Sequence, residues 1–145
     1  MRAVVHRPGE GELIAGPSSV TIKATAEDTG GSLYLGEGEI APGFAGPPPH
    51  VHDTIHDMFY VLEGTLTVQL GHETLELPPG SFVCVPPGTV HTFRNTSDQR
   101  VRFLNFNTPG GWERYMRDLA ATLASGSPTP EEIGRIASRY DFRVA

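Results

Sequence analysis

Three histidines and an aspartate stand close together in the segment PPPHVHDTIHDMFYVLEG, residues 47–64: His50, His52, His56 and Asp57. Because successive side chains of an extended chain alternate between its two sides, His50 and His52 would point to the same side. Two imidazoles that converge in this way can bind one metal ion. The same spacing also occurs between unrelated surface or core histidines, so the pair alone does not establish a metal site.

The segment GSFVCVPPGTVHTFRN, residues 80–95, adds a second pattern with one further histidine. Its residues follow the spacing G(X)5PXG(X)2H(X)3N, at Gly80, Pro86, Gly88, His91 and Asn95. This spacing matches every fixed position of the second motif of the cupin superfamily. The segment therefore resembles that family, and the resemblance supplies His91 as a third candidate ligand.

The first cupin motif, G(X)5HXH(X)3-4E(X)6G, is matched in part. His50, His52 and Gly64 fit it, whereas Gly43 lies one residue too early for the leading glycine. The resemblance covers about residues 30–108. It implies an all-β fold, the cupin double-stranded β-helix or jelly-roll barrel, with one divalent metal per chain held by the histidines of the two motifs.

The fourth ligand is either Asp57 or His56, because each occupies the position of the family's glutamate under one of its two spacings. Alternation from Phe59 and Val61 places Asp57 on their face. However, Asp is one methylene shorter than Glu, which loses about 1.5 Å of reach by ordinary bond lengths. A turn or bulge at a polar strand end can also redirect a side chain. We therefore predict a four-histidine site that includes His56, with Asp57 beside it as an outer partner of the metal or as the catalytic general base.

The elements that must position these residues are predicted to be short strands joined by tight turns, because 17 glycines and 13 prolines are scattered between short apolar runs. SVTIKAT alternates as a half-buried strand, and DMFYVLEG, which is apolar on both faces, is predicted to be central. TLTVQLGHETLEL is predicted to be a hairpin that turns at Gly71 and His72. Further strands are predicted for GGSLYLGEGEIAPG, SFVCVPPG, VHTFRN and RVRFLNF.

Helical spacing replaces this alternation in WERYMRDLAATLAS. A second helix is predicted to start at Thr129-Pro130-Glu131-Glu132, which is a capping-box sequence. We expect a single cupin domain over residues 1–145. Its barrel would cover about residues 18–108, and two short C-terminal α-helices would lie within about residues 112–140.

Charge and composition argue against several classes of partner. The net charge is −6 at pH 7 and no cluster of Lys and Arg stands out, so we expect no nucleic acid partner. No apolar run is long enough for a signal peptide or a membrane span, so we expect no membrane partner. The single Cys84, predicted to be a buried strand thiol, excludes an intrachain disulfide and favours a cytoplasmic location.

Hydrophobic side chains near the predicted ligands are expected to line a mostly apolar pocket above the metal. The candidates are Met58, Phe59, Val61, Phe82, Phe93, Phe103 and Trp112. They leave few charged groups to bind a sugar phosphate or a small dicarboxylate. We therefore expect a small hydrophobic substrate of the aromatic or polyketide type.

The whole chain is most similar to the resistomycin-type aromatic polyketide cyclases, on the basis of its length, the HxHxxxH pattern and the tail TPGGWERYMRDLA. This resemblance implies a metal-dependent cyclase of antibiotic biosynthesis that catalyses aldol-type cyclisation and aromatisation of a poly-β-ketone. Four neutral imidazoles would leave the metal its full charge. This ligand set favours zinc acting as a Lewis acid without redox chemistry.

Two alternatives have other chemistry. The tail from TPGGWERYMRDLA through EEIGRIASRYDFRVA also resembles quercetin dioxygenase-like cupins, in which Asp57 would be ligand and base and the metal would be iron, manganese or nickel. The second alternative is a non-catalytic cupin that binds a metal or ligand. Because small cupins commonly pair, the resemblance also implies a homodimer.

Overall fold

Short strands joined by turns build two antiparallel sheets in a computed structural model that describes residues 2–16, 18–126 and 128–145. The elements in chain order are β1 (Glu12–Ile14), β2 (Ser18–Ala24), α1 (Ala26–Thr29), β3 (Tyr34–Ile40), β4 (His50–Val51), β5 (His56–Glu63), β6 (Leu66–Leu70), β7 (Glu73–Leu77), β8 (Phe82–Val85), β9 (His91–Arg94), β10 (Val101–Thr108), α2 (Trp112–Ala124), α3 (Pro130–Ala137) and β11 (Arg143–Val144). One sheet has the strand order β1-β2-β3-β10-β5-β8, and the other has the order β11-β4-β9-β6-β7. The predicted all-β jelly-roll with short C-terminal helices is confirmed. The single-turn helix α1 was not predicted from the sequence.

Apolar side chains from both sheets fill the space between them. On β5 the buried positions are Asp57, Phe59 and Val61, which alternate with more exposed residues. The main core cluster consists of Ile40, Phe59, Val61, Leu66, Val68, Val101 and Phe103. Each such side chain contributes about 1.5–3 kcal/mol when it leaves water, so this cluster fixes how the two sheets pack. Val61 belongs to this core, although we had expected it in the substrate pocket.

The outward side of β5, β8 and β10 carries a continuous apolar surface, which we call the outer apolar face. Its members lie directly opposite one another in neighbouring strands and are Met58, Tyr60, Phe82, Cys84, Leu104 and Phe106. Phe82 is 54% exposed and Cys84 is also exposed. A face of this kind on an outer sheet surface is typical of an interaction surface.

This face corrects three expectations from the sequence. Met58 and Phe82 are not among the residues that line the cavity beside the candidate site, and the Cys84 thiol is not buried. On β8 it is Val83 and Val85 that point towards the core. Because both sides of this short strand are apolar, alternation alone could not determine which side faces inward.

The C-terminal helices cover one side of the barrel. Helix α2 contacts a second core cluster, made of Ile14, Ile22 and Tyr34, through Trp112, Met116 and Ala120. Helix α3 begins with the capping box expected from its sequence, in which the Thr129 hydroxyl accepts the Glu132 N–H at 3.2 Å. Within the described residues, no helix combines the length and hydrophobicity needed to cross a bilayer.

Two inward positions of β3 are glycines, and both are needed for close packing. A β-carbon added at Gly38 would lie 2.7 Å from Cζ of Phe103, and one added at Gly36 would lie 2.5 Å from Oη of Tyr34. These distances are far shorter than van der Waals contact. The two glycines therefore leave the space in which the aromatic rings lie against the strand.

We predict that Gly38→Ala lowers the free energy of unfolding by about 1–3 kcal/mol, because the added methyl group overpacks the core at Phe103. Chemical denaturation of the metal-free protein measures this change. Gly134→Ala is the matched control, since no atom outside the neighbouring backbone of α3 lies within 4 Å of the added carbon. We expect it to be neutral or to stabilise by up to about 1 kcal/mol. Equal effects of the two substitutions on the free energy of unfolding would show that the space beside Phe103 does not require glycine.

Candidate metal centre

Four buried side chains converge at one end of the barrel. One ligand atom from each of His50, His52, Asp57 and His91 lies within 4.8 Å of the others. His50 and His91 lie directly opposite each other where β4 pairs with β9, and their ring centroids are 4.4 Å apart. His52 follows β4, and Asp57 projects from β5 in the other sheet. The site therefore joins the two sheets.

The fourth member of this cluster is Asp57, so the predicted four-histidine site is corrected. His56 is exposed and Asp57 is buried at the start of β5. The pairing of β5 with β10 continues in register through Asp57 and His56, opposite Asn107 and Thr108. No bulge therefore occurs at this end of β5, and simple alternation holds. His72 at the hairpin turn and His6 near the start of the chain are exposed.

Each of the three histidines donates its Nδ1 hydrogen to a backbone carbonyl. Nδ1 of His50 lies 2.8 Å from the Pro48 oxygen, and Nδ1 of His91 lies 3.0 Å from the Thr89 oxygen. Nδ1 of His52 bonds to the main-chain oxygen of Asp141. Because a carbonyl can only accept, these contacts place the proton on Nδ1 and leave Nε2 as an electron-pair donor.

The Asp57 carboxylate faces these electron pairs with one of its oxygens. Its Oδ2 lies 2.9 Å from Nε2 of His91 and 3.4 Å from Nε2 of His52. Its Oδ1 accepts hydrogen bonds from the side-chain amides of Asn105 and Asn107, both at 2.8 Å. The amides thus hold the carboxylate so that Oδ2 remains directed at the imidazoles.

The ionisation states follow from burial and from these contacts. Burial opposes ionisation of Asp57. When His52 and His91 are protonated at Nε2 as well as at Nδ1, their hydrogen bonds and charges outweigh burial and hold the pKa of this carboxyl well below its usual value. Burial lowers the pKa of His50 to about 4, against the opposing effect of the Pro48 carbonyl. At neutral pH the carboxylate is therefore ionised and the His50 imidazole is neutral, which are the forms that bind metals.

The ligand atoms of these residues are chemically suited to a divalent metal ion. Three Nε2 electron pairs and one carboxylate oxygen converge in a buried site, and such acceptors repel one another unless a cation lies between them. A proton shared between Asp57 and one imidazole satisfies only that pair. A metal ion held by His50, His52, Asp57 and His91 would satisfy all four.

A cavity of about 560 Å³ opens above this cluster. Of the expected pocket residues, Phe59, Phe93, Phe103 and Trp112 line it. The lining is largely apolar, and its polar groups are concentrated near the cluster, as is usual for sites that bind small organic molecules. Helix α2 forms one wall of the cavity.

Several residues of the site were not anticipated from the sequence. Phe103, Asn105 and Asn107 occupy alternate positions of β10 and therefore lie on the same side of the strand. Because Phe103 points inward, this alternation could have identified the two asparagines as inward-facing residues. Tyr34 also lines the cavity and is 1% exposed. Burial and the negative charges of Glu113 and Asp57 raise the pKa of its phenol well above the usual value. The phenol therefore stays protonated and can donate a hydrogen bond.

We predict that Asp57→Asn weakens metal binding by more than about 100-fold, beyond the roughly 10- to 100-fold typical of losing an outer partner. His56→Ala should leave the affinity unchanged, because its side chain is exposed outside the cluster. Competition with a chelator and elemental analysis of metal per chain measure both effects. A site emptied by His56→Ala but retained in Asp57→Asn would restore the four-histidine assignment.

Comparison with known proteins agrees with this architecture. The family model described as "Cupin domain" matches residues 36–107. The chain is 31% identical over 116 residues to quercetin 2,3-dioxygenase of Bacillus subtilis (strain 168), a match that covers 79% of this chain but only 34% of that protein. This chain thus spans about a third of the length of that relative.

Solved structures show the same fold. The polyketide cyclase RemF from Streptomyces resistomycificus matches with a TM-score of 0.62 and 28% identity, over 74% of this chain and 80% of that chain. KdgF from Halomonas sp. matches with a TM-score of 0.61 and 18% identity, over 78% and 99% of the two chains. The two cupin motifs, the two-sheet barrel and these matches together show that the chain belongs to the cupin superfamily.

Proposed function

We propose that this protein is a metal-dependent enzyme that acts as a dioxygenase on an enolised aromatic compound of the flavonol type. The observation that carries this proposal is the position of Asp57, which completes a cluster of three imidazoles and one carboxylate. A carboxylate among imidazoles is the kind of ligand set associated with oxygen chemistry at non-haem metals. The 31% identity to a quercetin 2,3-dioxygenase supports the same class.

The metal remains part of the proposal, and iron, manganese or nickel is our choice. The expectation of zinc depended on four neutral imidazoles, a set that the exposed His56 does not complete. A divalent ion bound by the cluster would stabilise negative charge on a substrate oxygen and, where it is redox-active, would provide a route for electrons to O2.

The protein's own residues would bind and orient the substrate. Phe59, Phe93 and Phe103 form a mutually packed group with ring centroids 5.4–5.9 Å apart. They offer flat apolar surfaces to an aromatic ring and exclude water from the reacting atoms. The protonated Tyr34 phenol could donate a hydrogen bond to a substrate carbonyl. A cavity of about 560 Å³ has room for a molecule of this size.

Asp57 is unsuited to the role of general base that the sequence suggested. Both of its oxygens are engaged, Oδ1 by Asn105 and Asn107 and Oδ2 by His91. Against the effect of burial, the protonated imidazoles of His52 and His91 keep its pKa well below the usual value, so it accepts a proton poorly. We therefore assign it the role of ligand.

A metal-dependent polyketide cyclase is the second candidate. It is favoured by the structural likeness to a polyketide cyclase over 80% of that chain's length. In this case the apolar cavity would fold a poly-β-ketone so that one pair of carbons approaches for aldol-type closure and aromatisation. Zinc would then serve as well as a redox metal, because no electrons are transferred.

The test is oxygen uptake by metal-free protein reloaded separately with iron, manganese, nickel or zinc, with a flavonol as substrate. We expect uptake that equals substrate consumed mole for mole with a redox metal and none with zinc. Asp57→Asn should abolish it. Tyr34→Phe should keep the metal but lower kcat by about 10- to 100-fold, the loss of one hydrogen bond to a charged oxygen.

The other outcomes identify the competing functions. Conversion of a poly-β-ketone without oxygen uptake, by the zinc form as well, would replace the dioxygenase with the cyclase. Tight binding of flavonol or polyketone with no turnover by any metal form would leave a non-catalytic binding protein.

The family resemblance implies a homodimer, and we also propose that its two copies pair through the outer apolar face. Charged residues, among them Arg102 paired with Glu63, border this face and would remain at the rim of a dimer. Sedimentation should show a dimer that Phe82→Asp converts to a monomer. Leu123→Asp, the same change of type at an exposed residue of α2, should leave the dimer intact. A monomeric wild-type protein would overturn the pairing.

A further inference from the structure

The segment that follows α3, residues 141–145, contacts the metal centre although it lies about 90 positions away from the first cupin motif. We propose that Asp141 is a positioning residue of the metal centre, which fixes the His52 imidazole and the loop that joins β4 to β5. The proposal concerns metal binding itself and does not depend on which reaction the protein catalyses.

The Asp141 carboxylate binds the backbone of this loop. Its Oδ1 accepts the N–H of Asp53 at 2.5 Å, and its Oδ2 accepts those of Thr54 and Ile55, each at 2.8 Å. Three successive backbone donors thus point at one ionised group, which makes these hydrogen bonds stronger than neutral ones. The loop is therefore held in one conformation between His52 and β5.

The main-chain oxygen of Asp141 forms a hydrogen bond directly with His52, one of the residues that would bind the metal. It accepts the Nδ1 hydrogen of His52, which sets the tautomer and the orientation of that ring. His50 and His91 obtain the corresponding bond from Pro48 and Thr89, each two residues earlier in the sequence. Only His52, among these three ligands, depends on a distant part of the chain for this contact.

The rest of the segment supports His50 in the same way. Strand β11 pairs with β4, so that Val144 lies opposite His50. The ring of Phe142 stacks on the His50 imidazole, with centroids 4.3 Å apart and planes inclined by 19°. The N–H of Ala145 also donates to the Pro49 oxygen at 2.9 Å. One short segment thus holds both histidines of the HxH pair.

The test compares the metal affinities of Asp141→Asn and Asp53→Asn. The amide at position 141 cannot accept all three N–H bonds, so the loop and His52 lose their support. Asp53→Asn is the matched control, because this substitution removes the same charge from the same loop. Within the described residues, the Asp53 side chain bonds only to the exposed Arg143, and not to the loop backbone or to His52. Trp112, the chain's single tryptophan, lies 5.5 Å from the His52 ring and reports metal binding by fluorescence.

We expect Asp141→Asn to weaken zinc or nickel binding by about 10- to 100-fold and to speed metal release, as is typical for the loss of an outer-shell partner. Asp53→Asn should change the affinity by less than about twofold. Affinities are measured with a competing chelator at a temperature where circular dichroism shows both metal-free variants to be folded. If Asp141→Asn does not fold, Asp141→Glu, which keeps the charge and the acceptors, should bind metal between wild-type and tenfold weaker.

Two results would overturn the proposal. One is wild-type affinity and release rate in Asp141→Asn, which would make the contact purely structural. The other is an equal loss in both variants, which would show that general loss of negative charge, and not positioning of His52, sets the affinity.

Discussion

The contact between Oδ2 of Asp57 and Nε2 of His91, 2.9 Å apart in a site where both residues are buried, is the constraint on which the rest of this structure depends. Two acceptors this close in a buried site are stable only when a proton or a metal ion is shared between them. The surroundings preserve this arrangement. Amides of Asn105 and Asn107 hold the other carboxylate oxygen, and carbonyls hold the Nδ1 hydrogens of the histidines. The site is therefore arranged to hold a shared proton or a metal ion.

The two-sheet architecture is what brings these groups together. Asp57 belongs to the first sheet, whereas His50 and His91 face each other across neighbouring strands of the second. The packing of the core between the sheets consequently sets the distance between the carboxylate and the imidazoles. Glycines on β3 contribute to that packing, because they leave space for the tips of the Phe103 and Tyr34 side chains against the strand. The cavity and the metal site thus share their supporting residues.

Periodicity and spacing within single segments predicted the features that depend only on neighbouring residues in the sequence. Alternation placed His50 and His52 on one side, and the spacing around His91 identified the second motif. Alternation from Phe59 also indicated Asp57; the expectation of His56 failed because β5 continues in register with β10 through that position. The direction of β8 could not be predicted, since both of its faces are apolar. The contact of Asp141 with His52 joins residues 89 positions apart and leaves no local pattern.

The candidate metal site and the cavity above it are connected through single side chains. Phe142 stacks on the His50 imidazole and also lines the cavity, and Trp112 lies beside both the His52 ring and Phe142. A substrate that displaces either ring would change the support of a histidine of the cluster. In the function that we propose, the apolar lining would select molecules mainly by shape. The carboxylate of Asp57 would reduce the net positive charge of a bound divalent ion and so would suit it to redox chemistry more than four imidazoles would. Shape selection and metal chemistry would then depend on the same few contacts at the base of the cavity.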